Sequence, residues 1–231
     1  MFCHSCGAQV ANDLQFCPSC GSSLAAPGLL RASPVIPWTP PAGVQAQTGR
    51  WIGAGWNLVK ADLGNFALVT LVFAVLSGVP FIQGALIVGM HIYCMKKLLG
   101  RRAEFADLFT GFNFFVPSLV AALVIGLFTF AGTLLCIIPG LVVAAMYKFT
   151  YLFIVDKRMD FWQAMKASHA VVRSDYFGFT LFLLAMAGVN LLGALCCIVG
   201  ILISIPVTFA AITVAYQEIV GFEQRTADSL G

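Results

Sequence analysis

From Leu63 to Met95 no residue carries a formal charge, and the same holds from Leu108 to Tyr147 and from Tyr176 to Gln217. These uncharged runs are 33, 40 and 42 residues long. A helix that crosses a bilayer takes about 20 apolar residues. Each run is too long for one crossing and suits two, joined by a tight turn. Turn-forming residues lie near the midpoints: "LSGVP" at Leu76–Pro80, "CIIPG" at Cys136–Gly140 and "CCIVG" at Cys196–Gly200. Lipid offers backbone polar groups no partner, so each arm is expected to be helical. The pattern predicts an all-α protein of three transmembrane helical hairpins, six spans. The runs also read as a loose repeat. Each starts at aromatic residues (Phe66; Phe114 and Phe115; Tyr176 and Phe177) and leads to a tyrosine (Tyr93, Tyr151, Tyr216). In a rival topology the hairpins dip into one leaflet and return. The first arm, Phe66 to Gly78, reaches only ~20 Å against ~30 Å of hydrocarbon. Starting it at Leu58 would lengthen it.

Amphipathic stretches separate the runs. Phe105, Leu108, Phe109 and Phe112 follow the spacing of one helix face. Phe161, Met165 and Val172 share a face, with Lys166, His169 and Arg173 on another. Asp160 and Gln163 have capping-box spacing. Ile52, Trp56, Val59 and Leu63 form a weaker stripe. These segments are expected to lie in the membrane interface, the first being equally readable as a straight extension of its span.

Composition supports the membrane reading. The chain is 60% hydrophobic and 10% charged, with mean hydropathy +0.92; soluble domains carry about 25% charged residues. A net charge of +3 among 231 residues argues against a nucleic-acid partner. Of the 13 Lys and Arg residues, 12 lie before, between or after the spans, and none at a hairpin tip. Basic loops mark the cytoplasmic side, so both termini are expected there. Lys148 is the exception. It is read either as a snorkelling or paired residue, with Glu218 a candidate partner, or as a lipid or ligand contact. His91 is read as a structural histidine or a proton relay. Asn190 and Gln83 suit bonds between helices. Lys166 and Arg173 are further candidate lipid or ligand contacts.

The N-terminus reads differently. Cys3 and Cys6, then Cys17 and Cys20, form two Cys-x2-Cys knuckles, each followed by glycine. Two such turns complete a tetrahedral shell of four thiolates, the structural form of zinc site. So small a unit takes its folding energy from the metal. Thiolates need a reducing compartment, which again points to the cytoplasm. The first 15 residues lack the basic start and apolar run of a secretory signal. Residues 25–50 hold five of the ten prolines and read as an extended, flexible linker. The expected organisation is a ribbon at 1–24, a linker at 25–50, a membrane body at 51–222 and a tail at 223–231. No GxSxG, HExxH or phosphate-binding glycine loop occurs, so no enzyme activity is expected.

The ribbon resembles the short bacterial zinc ribbons of the form CxxCG…CPxCG, which implies metal binding and a contact surface. The stretches "DLFTGF", "LLCIIPGLVVAAM" and "IVDKRMDFWQAMKASHAVVRSDYFGF" make the body similar to a bacterial family of six-span membrane proteins of unknown function. That family is related to the membrane domain found with some glycerophosphodiester phosphodiesterases. The resemblance implies a multi-pass protein of the bacterial inner membrane without assigned chemistry; the phosphodiesterase activity does not carry over. The expected function is a non-enzymatic interaction, scaffold or regulatory module. It would bind a protein partner through the ribbon or linker, with the bilayer and a second copy of the chain as further partners. The alternatives are a small oligomeric transporter or channel and a membrane-shaping hairpin protein.

Overall fold

The computed structural model describes residues 38–41 and 43–229. The chain divides into two units, Met1–Thr39 and Pro40–Gly231. The four ribbon cysteines and most of the linker lie outside the described residues. Among the described residues the second unit is helical, with no strand.

Helix α1 (Thr48–Ala61) buries Trp51, Gly55 and Val59, four residues apart and so on one face. That face lies along α10 (Cys197–Ile219). The Trp51 indole Nε1 donates to Glu218 Oε2 at 2.8 Å, whereas a Cβ on Gly55 would sit 2.7 Å from Ala211 N. Trp51 thus meets the end of α10 and Gly55 an earlier turn, so the helices run antiparallel. The expected stripe of Ile52, Trp56, Val59 and Leu63 is displaced, and Trp56 and Leu63 are exposed. Glycine is the reason. It contributes nothing to a hydrophobic pattern, yet it allows two backbones to touch.

At Asp62 the chain bends by 101° into α2 (Leu63–Leu76). An arm started at Leu58 would therefore not be one straight helix. At 14 residues, α2 is about 21 Å long. The next helix, α3 (Gln83–Leu98), is buried on nearly every side, with Leu86, Met90, Tyr93 and Met95 fully covered. It packs against α2 and α10, and against α4 (Asp107–Thr110), α5 (Phe115–Leu135) and α7 (Thr150–Asp156). A helix that is largely apolar on every side ahead of its last turn, where Lys96 and Lys97 stand, belongs in such a core. Phe66 meets Tyr93 edge-on at 5.0 Å, and Phe73 meets Phe209 at 5.5 Å.

The second hairpin joins α5 to α6 (Ile137–Met146), and the third joins α9 (Tyr176–Leu195) to α10. Each turn is one residue wide, at Cys136 and Cys196. Glycines on both arms make this closeness feasible. A Cβ on Gly132 would lie 3.1 Å from the Gly140 Cα, and one on Gly193 would overlap Ser204 Oγ.

Among the described residues, four helices are long and apolar enough to cross a membrane: Asp107–Leu135, Ile137–Asp156, Tyr176–Leu195 and Val199–Ile219. A fifth is added if the bent α1–α2 pair is one span. At 16 residues, α3 falls short of the about 20 that a full crossing takes.

The expected amphipathic helix at 105–112 is only the four-residue α4, which passes into a 3-10 turn, Gly111–Phe114. Leu108 alone of its four apolar residues is buried; Phe105, Phe109 and Phe112 are exposed. Its backbone presses on α3, where Gly89 receives the Leu108 carbonyl and Gly111 receives that of Ala85. Helix α8 (Phe161–Val172) buries Met165 and Val172 as expected and exposes Lys166 and Arg173. Asp160 stands at its N-cap position, but its side chain makes no cap bond. The working cap belongs to α9, where Asp175 Oδ1 accepts from Gly178 N at 2.9 Å.

Residues on either side of 51–222 make contacts with the body. Ala46 N donates to Asp175 Oδ2 at 3.1 Å, and Ser174 Oγ donates to the Val44 carbonyl at 3.0 Å. The chain is therefore bound to the body before residue 51. The tail folds into α11 (Gln224–Ser229) and docks on α7 through Asp156.

Candidate functional site

Helices α6 and α7 belong to one apolar segment interrupted at Tyr147, Lys148 and Phe149. An interruption leaves backbone groups without their helical partners. Here α8 supplies a replacement. Ser168 Oγ donates to the Met146 carbonyl at 2.7 Å and accepts from Phe149 N at 3.2 Å. One hydroxyl thus bridges the gap from both sides, a recognised cause of helix breaks.

Lys148 sits in this break, half-buried. It makes no ion pair with a described residue. Glu218, its expected partner, is taken by Arg50 at 3.1 Å and by the Trp51 indole. The charge of Lys148 acts on His91 of α3.

His91 is 2% exposed, with Nδ1 3.0 Å from Thr213 Oγ1 and its ring edge-on to Phe209. The Thr213 hydroxyl donates its single proton to the Phe209 carbonyl at 2.8 Å. The network therefore assigns the His91 proton to Nδ1, which donates to the threonine oxygen. Lys166 and Arg173 are not part of this cluster. Both are exposed on α8, and Lys166 Nζ lies 5.5 Å above the Trp162 ring. Asn190 joins α9 to α10, donating to Thr208 Oγ1 at 2.9 Å.

The charged loops form a second polar layer whose carboxylates the sequence does not single out. Asp156 is fully buried. It accepts from the Tyr216 hydroxyl at 2.9 Å and from Glu223 N at 2.9 Å, and Lys157 Nζ lies 3.2 Å away. Its carbonyl accepts from Thr226 Oγ1 at 2.8 Å. Lys96 pairs with Asp107 at 2.7 Å, and Lys97 with Asp62. The hydrogen bond from Lys97, helped by one from Asn65, holds the Asp62 carboxyl below the usual carboxylate range.

Among the described residues no group of three metal-ligating side chains comes together. The metal-binding assignment rests on Cys3, Cys6, Cys17 and Cys20. Four thiolates and no other required donor make a closed set suited to structural zinc rather than to a metal that must admit substrate. The chain matches the zinc-ribbon domain family over residues 2–24. It is also similar to uncharacterized proteins of Mycobacterium bovis and Mycobacterium tuberculosis, at 33% identity over 159 residues. The match covers 69% of this chain and 45% of each relative, so the chain spans less than half the length of the curated relatives it matches. A match of that length draws mostly on the helical body, since ribbon and linker together are far shorter. No solved structure matches the chain. The chain is thus a metal-binding ribbon module joined to an apolar helical body with mycobacterial homologues.

Proposed function

We propose that the protein is a non-enzymatic, multi-pass protein of the bacterial inner membrane that presents a cytoplasmic zinc ribbon to a protein partner, as a scaffold or regulatory module. One observation carries this reading. A four-thiolate ribbon is joined to a body that exposes large apolar side chains along its longest helices. Leu135 is 86% exposed, Phe177 82% and Leu195 73%. So many exposed large apolar side chains call for a lipid or protein covering. Four thiolates would fill the tetrahedral shell of a zinc ion, a donor set that suits a contact module rather than a catalytic one.

The test is affinity purification from native membranes of the full chain, a chain lacking residues 1–24 and a Cys3→Ser, Cys17→Ser variant. A partner is expected to co-purify with the full chain only. Identical partners in all three samples would refute the role given to the ribbon.

The break at Lys148 favours a second reading, a small transporter. Interrupted helices and a cation without an ionic partner among the described residues are the features from which membrane transport sites are built. In that case flux into proteoliposomes would fall on Lys148→Met.

A further inference from the structure

The end of α3, the following loop and one face of α2 enclose a cavity of about 370 Å³, open on one side. Its charged lining is Lys97, Arg102 and Glu104, and its apolar lining includes Leu68, Val69 and Phe105. Lys97 is already neutralised by Asp62. Arg102 and Glu104 are not; both are exposed, and neither pairs with a described residue. Among the described residues the cavity therefore carries one uncommitted cation and one uncommitted anion. Val69 is buried beneath it, whereas Leu68 and Phe105 stand about half exposed at its edge. From Leu68 the exposed apolar surface continues along α2 through Leu71 and Val75, at positions i, i+3 and i+7 of one helix face. A polar recess bearing both signs of charge thus opens onto an apolar track.

We infer that this recess binds the headgroup of a zwitterionic aminophospholipid, its phosphate on the Arg102 guanidinium, its ammonium on the Glu104 carboxylate and an acyl chain along Leu68, Leu71 and Val75. A purely anionic lipid would satisfy Arg102 but would place its charge beside Glu104. A soluble phosphate would leave the apolar track uncovered. Guanidinium and carboxylate groups suit the two halves of such a headgroup. The inference rests on the membrane reading above.

The test uses the full chain in detergent, with lipid retention measured by native mass spectrometry. Three probes are added separately: phosphatidylethanolamine, phosphatidylglycerol and glycerophosphoethanolamine, which is the same headgroup without acyl chains. Phosphatidylethanolamine is expected to be retained best. Arg102→Gln or Glu104→Gln should each weaken its binding about tenfold, the effect of losing one charge-assisted contact. Arg101→Gln, which removes the neighbouring cation outside the recess, should leave it unchanged.

Binding insensitive to both Arg102→Gln and Glu104→Gln would overturn the inference. So would tighter retention of phosphatidylglycerol, strengthened by Glu104→Gln, which marks a simple anion site. Equal binding of the chain-free headgroup would assign the recess to a soluble ligand instead. Alkaline carbonate extraction separates the two levels of the argument. A chain that stays in the membrane but ignores phosphatidylethanolamine sinks this inference alone; a chain that washes off sinks the membrane reading as well.

Discussion

Gly89 and Gly111 show how much of this body depends on atoms that are missing. Each receives a backbone carbonyl of the other element where a methyl group would stand, and neither neighbour is a side chain that can swing away. Gly89→Ala should therefore destabilise the body by about 3 kcal/mol, the upper end of the usual overpacking cost. Gly126 is the contrasting case, with open space around its Cβ position; Gly126→Ala should be neutral or stabilise by up to about 1 kcal/mol. Thermal unfolding of both variants in detergent decides the matter. Asp62 gives a pH prediction. Its folded carboxyl titrates below its ordinary range, so its contribution to stability is present above the unfolded pKa of about 3.9. That contribution is lost as pH falls through the lower folded value. The melting temperature of the wild type should decline below about pH 4, and Asp62→Asn should flatten that decline while leaving neutral pH behaviour nearly level. None of these residues stands out in the sequence. A glycine has no hydrophobicity to plot, and a charge reveals its loop but not its partner.

At the scale of elements, the second and third hairpins were the most legible part of the chain. Forty uncharged residues interrupted by Pro139 and Gly140 leave few physical alternatives to two helices and a turn. The first hairpin was less legible because its limits depend on Asp62, where an ion pair with Lys97 secures a bend that no local propensity requires. The short α4 was misread for a related reason: aromatic spacing suggested one buried face, while backbone contact with α3 set the actual geometry. The break between α6 and α7 was also invisible, since Ser168 lies 22 residues beyond the carbonyl it serves. Ser168→Ala leaves the Phe149 N–H and the Met146 carbonyl without that partner and should cost about 1–3 kcal/mol. Ser168→Thr retains the hydroxyl and should recover part of the loss, which denaturant titration in mixed micelles would register.

The whole molecule invites two tests of its plan. Chelation should remove about one zinc per chain, as expected for one closed four-thiolate site, and the release is measurable with a chromogenic indicator. Cys6→Ser or Cys20→Ser should abolish metal uptake. The helical circular dichroism of the body should persist, because no described side-chain cluster holds a metal. Cysteines introduced beside Arg101 or Lys157 should resist membrane-impermeant reagents in intact cells, while ones beside Gly78 or Gly140 should react; the reverse pattern would invert the proposed orientation.

The pairing of α1 with α10 has a temporal consequence. Trp51 and Glu218 are 167 positions apart, so the first helix of the body is made long before the surface that covers it. At synthesis rates of about 5–20 residues per second, the Gly55 face waits roughly ten to thirty seconds for its mate. During that interval it needs a temporary shelter, in lipid or on a chaperone, and ribosomes stalled before codon 197 would leave that shelter occupied.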